Sequence, residues 1–158
     1  MTAGDREYPA RPVVGVGGVV IRDGRVLIVR RGTEPLRGCW SIPGGTLEIG
    51  ETIEEGVRRE MREETGLEVR VLDLVEVWER IIPSDRGGRQ PRYHFVILDY
   101  LCAAEAGEPR PGSDAVELAL VSEEELPDYH LSEAASRVVE KAFRMSSTGP
   151  RSMQRAEY

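Results

Sequence analysis

Hydrophobic positions along the chain follow two rhythms. Val13 to Ile21 is a β-branched run interrupted only by glycines, and Val26 to Val29 is a second apolar run. Arg22-Asp23-Gly24-Arg25 separates them, so the pattern predicts two strands joined by a hairpin with Asp-Gly at its tip. Trp40 to Ile42 reads as a short strand followed by a Pro43-Gly44-Gly45 turn, and Leu67 to Ile82, Tyr93 to Cys102 and Val116 to Val121 read as further strands. Helical spacing appears in two places. In Gly50 to Gly66, Thr52 stands three residues before Glu55 as a capping box, and Gly66 is placed to end the helix. From His130 or Leu131 to Arg144, the residues Leu131, Ala135, Val138, Val139 and Ala142 form one apolar stripe with Phe143 at its edge. Strands and helices are interspersed and several strands are joined by hairpins. The fold class is therefore α/β: a mixed sheet covered by helices on both faces.

The first helix breaks its own pattern. Ile53, Val57 and Met61 mark a buried stripe. With Glu60 at zero and about 100° per residue, Ile53 falls near ~20°, Glu64 near ~40° and Val57 near ~60°. Glu60 and Glu64 thus share the stripe of the core residues, whereas Glu55, Arg58 and Arg62 lie opposite, and Arg59, Glu63 and Gly56 flank it. Two carboxylates one turn apart repel, and burial worsens the repulsion. A positive charge between them would relieve it. Closely spaced oxygen donors suit a hard cation, magnesium or manganese, which keeps waters and shares them with phosphates. No histidine or cysteine stands nearby in sequence to favour zinc or copper. The Gly44-Gly45 turn beside them completes a workable diphosphate site.

Composition narrows the classes. At 158 residues the chain is expected to be one domain, 12–145, with a flexible lead-in at 1–11 and a mobile polar tail at 146–158. The net charge of −7 gives no electrostatic reason to bind nucleic acid. The N-terminus lacks the apolar core of a signal peptide, and Val13 to Ile21 is too short to span a membrane, so a cytoplasmic location is expected. Cys39 and Cys102 read as two free thiols rather than a disulfide. Gly15, Gly17 and Gly18 do not form a dinucleotide fingerprint, because Val20 occupies the place of its last glycine. They fit close approach of a neighbouring backbone or a ligand.

Gly45, five residues, Glu51, seven residues, then Arg59-Glu60-Met61-Arg62-Glu63-Glu64-Thr65-Gly66-Leu67 fills every defined position of the 23-residue Nudix box. On this motif, with Trp40-Ser41-Ile42-Pro43-Gly44 before it, the chain resembles the Nudix hydrolases over about Val13 to Arg144. The resemblance implies a Nudix-type α/β/α sandwich and metal-assisted attack of water on a diphosphate. It further implies Glu60 and Glu64 as metal ligands, Glu63 as a further ligand or the base, and the carbonyl of Gly45 (or Gly44) in the coordination. Glu51 would pair with Arg59 to orient the helix, or itself act as base. A homodimer is expected by the same analogy.

The box does not choose the substrate. Pro83, sixteen residues past Leu67, resembles the proline of the family's ADP-ribose pyrophosphatases. The stretches from Val29 to Trp40 and from Gly112 to Ala115 are also similar to small bacterial ADP-ribose hydrolases. Leu120 departs from the aromatic usual in the last strand. Arg30 or Arg31 could contact phosphate or simply end a strand. Tyr93 could stack on a base or pack in the core. Asp114 or Glu117 could supply another carboxylate or be a turn and a surface residue. His130 reads as a helix-start residue, and Trp40 as packing against the catalytic helix rather than as part of the chemistry. The implied reaction is hydrolysis of ADP-ribose to AMP and ribose 5-phosphate. The alternatives are a nucleoside triphosphate pyrophosphohydrolase and, from another class, a non-catalytic ligand-sensing module, which the retained carboxylates disfavour.

Overall fold

Asp23 and Gly24 both take left-handed backbone angles, φ 52° and 71°, and so turn the chain tightly between strands β1 (Val13–Arg22) and β2 (Arg25–Arg31). The computed structural model describes residues 6–148. The remaining elements are β3 (Trp40–Ser41), β4 (Gly44–Thr46), α1 (Ile53–Thr65), β5 (Glu68–Ile82), β6 (Tyr93–Ala106), β7 (Ala115–Ser122) and α2 (Glu133–Thr148).

The sheet is mixed. Its path runs β3-β2-β1-β6-β5, with β4 paired to β1 and β7 paired to β2. β1 and β6 run parallel, from Val13 opposite Phe95 to Val20 opposite Cys102, and the other pairs are antiparallel. Alternation along β1 and β6 divides the core. Val16, Val20, Tyr100 and Cys102 meet Val57 and Met61 of α1. Val19 and Leu101 meet Val138, Val139 and Ala142 of α2 on the other face. The result is a helix–sheet–helix sandwich, as the sequence predicts. Cys39 is exposed, Cys102 is buried, and both are free thiols.

Three local expectations are corrected. Gly44-Gly45 is not a turn but the start of β4, antiparallel to β1 with Gly17 opposite Gly44. Any side chain at Gly44 would overlap the Val16 carbonyl, so glycine is required for this approach. α2 begins later than expected, because Leu126–Tyr129 forms a 3-10 turn and His130 takes φ 49°. The Ser132 hydroxyl then accepts from the Ala135 amide at 3.2 Å and caps the helix. The helix also continues through Ser146, Ser147 and Thr148, whose hydroxyls bond back to carbonyls of the preceding turn. The rest of the expected tail and the first five residues lie outside the described residues. Within the lead-in, Glu7, Tyr8 and Pro9 accept hydrogen bonds from Gln90 and Arg92 in the loop between β5 and β6.

Candidate functional site

α1 forms as its local signals dictate. Thr52 and Glu55 make a reciprocal capping box, and Gly66 closes the helix at φ 72°. Its buried face comprises Gly56, Val57, Glu60, Met61, Glu64 and Thr65. Glu60 and Glu64 are 9% and 6% exposed, beside Val57 and Met61 at 0%. The main chain holds Glu64: its Oε2 accepts from the Gly44 amide at 2.9 Å. Gly45 lies against Glu60 so closely that a Cβ there would sit 2.5 Å from its carboxylate atoms.

Arg59 organises the other carboxylates. Its Nε and Nη2 donate to the two oxygens of Glu51 at 3.0 and 2.6 Å, and Nη1 donates to Glu60 Oε1 at 2.6 Å. Nη2 also reaches the Thr46 carbonyl at 2.9 Å, and Glu63 lies 3.4 Å from Nη1 with a half-exposed side chain. Glu51 in turn accepts from the Glu48 amide at 2.7 Å. The bond to Arg59 holds the Glu51 carboxyl below its ordinary range. Burial pushes Glu60 up, against the pull of Arg59. Burial, aided by the charge of Glu60, pushes Glu64 up to about 7. Burial and their mutual repulsion thus oppose ionisation of both carboxyls together.

These groups open onto a cleft with two joined chambers. The polar chamber is lined by Glu48, Arg59, Glu60, Glu63, Glu64 and Asp114. The aromatic chamber lies on the α2 face of the sheet among Trp78, Arg80, Phe95, Ile97 and Asp99. Arg6, Arg31 and β4 border both. Gly15 and Gly17 floor the aromatic chamber opposite Ile97 and Asp99, and a side chain at Gly17 would overlap the Asp99 carboxylate. Asp99 accepts from Trp78 Nε1 at 2.7 Å, and burial pushes it up to about 6. The Arg80 guanidinium sits 5.0 Å from the centre of the Trp78 ring.

The NUDIX domain family model matches residues 11–142. The chain belongs to the NUDIX family. It is 37% identical over 116 residues to an ADP-ribose pyrophosphatase of Methanocaldococcus jannaschii, a match covering 73% of this chain and 65% of that relative. The chain thus spans about two thirds of that relative's length. It is 30% identical over 131 residues to the nucleoside triphosphatase NudI of Escherichia coli, covering 77% of this chain and 89% of the relative. Among solved structures, the MutT NUDIX hydrolase of Burkholderia pseudomallei superposes with a TM-score of 0.71 at 33% identity, covering 83% of this chain and 98% of that one.

NUDIX hydrolases generally act with divalent metal ions, and the residues present fit one. Glu60 and Glu64 are buried and face one chamber. Every side-chain donor there is an oxygen, and the Gly45 backbone comes close only because it has no side chain. Among the described residues, no three acidic, histidine or cysteine side chains form a ready-made cation cage. A partial shell of this kind suits a hard ion that completes its coordination with water and substrate oxygens.

The other residues expected from sequence divide between the cleft and its surroundings. Arg31 enters the cleft, its Nε donating to the Pro35 carbonyl at 2.8 Å. Asp114 enters as well. Its loop is pinned by bonds from Gly112 N to Glu64 O (3.2 Å) and from Gly32 N to Asp114 O (2.6 Å). Arg30 and Glu117 do not line either chamber. They stand opposite each other on β2 and β7 and form an exposed ion pair at 3.2 Å, because adjacent residues of a strand point to opposite faces. Tyr93 is not at the cleft either. It is buried and stacked on Phe95 at 6.0 Å, and Phe95 is the residue that reaches the chamber. Arg6, Trp78, Arg80 and Asp99 escape a reading of the sequence alone. The alternation that places Trp78 and Arg80 on one face of β5 is present, but bulges after Val71 and Leu74 hide its phase.

Proposed function

We propose that this chain hydrolyses the diphosphate linkage of a nucleoside diphosphate derivative, with ADP-ribose the favoured substrate and AMP and ribose 5-phosphate the products. The observation that carries this reading is the junction of a buried acidic chamber with an aromatic, arginine-bearing chamber across the edge of β4. Diphosphate fits the first, and a base or sugar fits the second.

Glu60, Glu64 and the Gly45 carbonyl, with Glu63 where it ligates, would hold Mg2+ or Mn2+. A bound ion of this kind lowers the pKa of water and neutralises charge on the diphosphate oxygens. Arg59 fixes Glu60 and Glu51 in place, so that α1 presents its carboxylates without reorganisation. Glu63, half exposed at the cleft, is free to accept a proton from water. That water adds to one phosphorus, and the bridging oxygen leaves with the other. Arg31 and Asp114 flank the diphosphate from the end of β2 and the loop before β7. Trp78 and Phe95 offer faces to the organic part of the substrate.

A second reading, release of pyrophosphate from nucleoside triphosphates, is favoured by the match to nearly the whole length of the E. coli nucleoside triphosphatase. A panel of diphosphate substrates with magnesium or manganese, read by product identity, separates the two. AMP and ribose 5-phosphate from ADP-ribose support the first. Pyrophosphate from triphosphates, with ADP-ribose untouched, overturns it. Ligand binding with no turnover of any member would instead mark a sensing module.

A further inference from the structure

We propose that Arg6, on a segment preceding the matched NUDIX domain, is a substrate-binding residue that contacts the anionic oxygens of the diphosphate, and that the N-terminal segment is latched to the β5–β6 loop to deliver it. The inference rests on the function proposed above and names a part of the site that the family match, residues 11–142, does not contain.

Arg6 borders both chambers of the cleft, where the acidic and aromatic halves meet. Arg31 borders the same two chambers, and burial lowers its pKa, with the charge of Arg6 acting in the same direction against the attraction of Glu64 and Asp114. Two guanidiniums turned toward one space repel each other, and an anion between them converts the repulsion into attraction. Among the described residues, no carboxylate stands within ion-pair distance of Arg6, so nothing there already fills that role.

The two residues after Arg6 explain how a polar terminus comes to hold an arginine in place. Glu7 pairs with Arg92 Nε at 2.7 Å. The Tyr8 amide donates to the Arg92 carbonyl at 2.7 Å, and the Tyr8 hydroxyl donates to Asp85. Gln90 Nε2 reaches the Tyr8 carbonyl at 2.9 Å, and Arg86 lies over the Tyr8 ring at 4.5 Å. Tyr8 adopts φ 52°, a conformation costly for a residue with a side chain, and these contacts hold it there. Ordering a polar, partly buried chain end costs conformational entropy. The polar contacts that offset it converge on the residues adjoining Arg6.

The test uses the full chain with Arg6→Ala, Arg6→Lys, Tyr8→Ala and, as control, Arg11→Ala, a neighbour outside both chambers. KM and kcat are measured on the diphosphate the wild type cleaves best, and ADP affinity is measured by calorimetry in EDTA. Loss of one charge-assisted contact should raise KM and weaken ADP binding about tenfold in Arg6→Ala. The melting temperature should be unchanged, kcat should stay within about twofold, and Arg6→Lys should recover part of the loss. Tyr8→Ala, which keeps Arg6 but removes the latch, should shift KM in the same direction. KM and ADP affinity in Arg6→Ala matching the Arg11→Ala control would overturn the contact. A normal KM in Tyr8→Ala would overturn the latch alone. A wild type that neither binds ADP nor cleaves any diphosphate would overturn the functional reading itself, and this inference with it.

Discussion

The amide of Gly44 donates a 2.9 Å hydrogen bond to Oε2 of Glu64, joining the start of β4 to the last turn of α1. The bond orients a buried carboxylate and leaves its second oxygen for the metal ion proposed above. In Glu64→Gln the amide oxygen can still accept from Gly44, so the fold should persist, while the charge needed for the ion is lost. Turnover should fall at least about a hundredfold, with the circular dichroism spectrum unchanged. Turnover near the wild-type level would remove Glu64 from the mechanism.

Gly45→Ala tests how closely the backbone must approach Glu60. The added methyl would lie 2.5 Å from the carboxylate carbon and both oxygens, so Glu60 would have to swing away. Titration with magnesium should show affinity weakened about tenfold or more. An unchanged titration would mean that Glu60 does not need its present position.

Arg59 bonds Glu51 with two of its nitrogens and Glu60 with the third. Lysine keeps the charge but cannot reproduce the planar fork. Arg59→Lys should therefore lose about ten- to a hundredfold in kcat, the range for groups that orient metal ligands. Glu51→Gln should lose less, because one oxygen still accepts from Arg59. Equal activity of Arg59→Lys and wild type would show that charge alone suffices.

Burial raises Glu64 to about 7 and Asp99 to about 6, both above ordinary carboxyl values. An acid whose pKa is raised by folding favours the folded state while protonated. That contribution is whole below the ordinary carboxylate range, and it is lost as pH rises through about 6 for Asp99 and about 7 for Glu64. The metal-free protein should melt lower at about pH 8 than at about pH 5.5, and Glu64→Gln should flatten the upper part of that fall. Divalent ions bind the ionised form, so their stabilising effect should grow over the same interval. Thermal melts across pH, with EDTA and with magnesium, measure both slopes. A metal-free melting temperature that rises across this interval would contradict the assignment.

Phe95 and Tyr93 stack on each other but only Phe95 reaches the cleft. Phe95→Ala should raise KM about tenfold, the loss of one base-stacking face. Tyr93→Ala should lower the melting temperature with KM nearly unchanged. The reverse pattern would restore the role that the sequence suggests for Tyr93.

What the sequence carries by itself is the acidic helix. Helical geometry relates residues three and four apart, so Thr52, Glu55 and Gly66 set its ends and the common stripe of Val57, Glu60, Met61 and Glu64 sets its face, all within a few turns of chain. The Asp23-Gly24 hairpin is local in the same way. The other half of the cleft depends on distant pairings. Arg30 and Arg31 are adjacent in the chain and differ only in which side of β2 they occupy. Trp78, Phe95 and Asp99 meet because bulged β5 lies on β6 in one register. Gly44 looks like a turn residue until β4 lies against β1. A strand's faces become inside or outside only once its neighbours and register exist, and a polar terminus such as Arg6 is placed only by the loop that receives it. Tertiary structure therefore decided which aromatic and cationic groups join the acidic helix, whereas the helix itself was written in local periodicity.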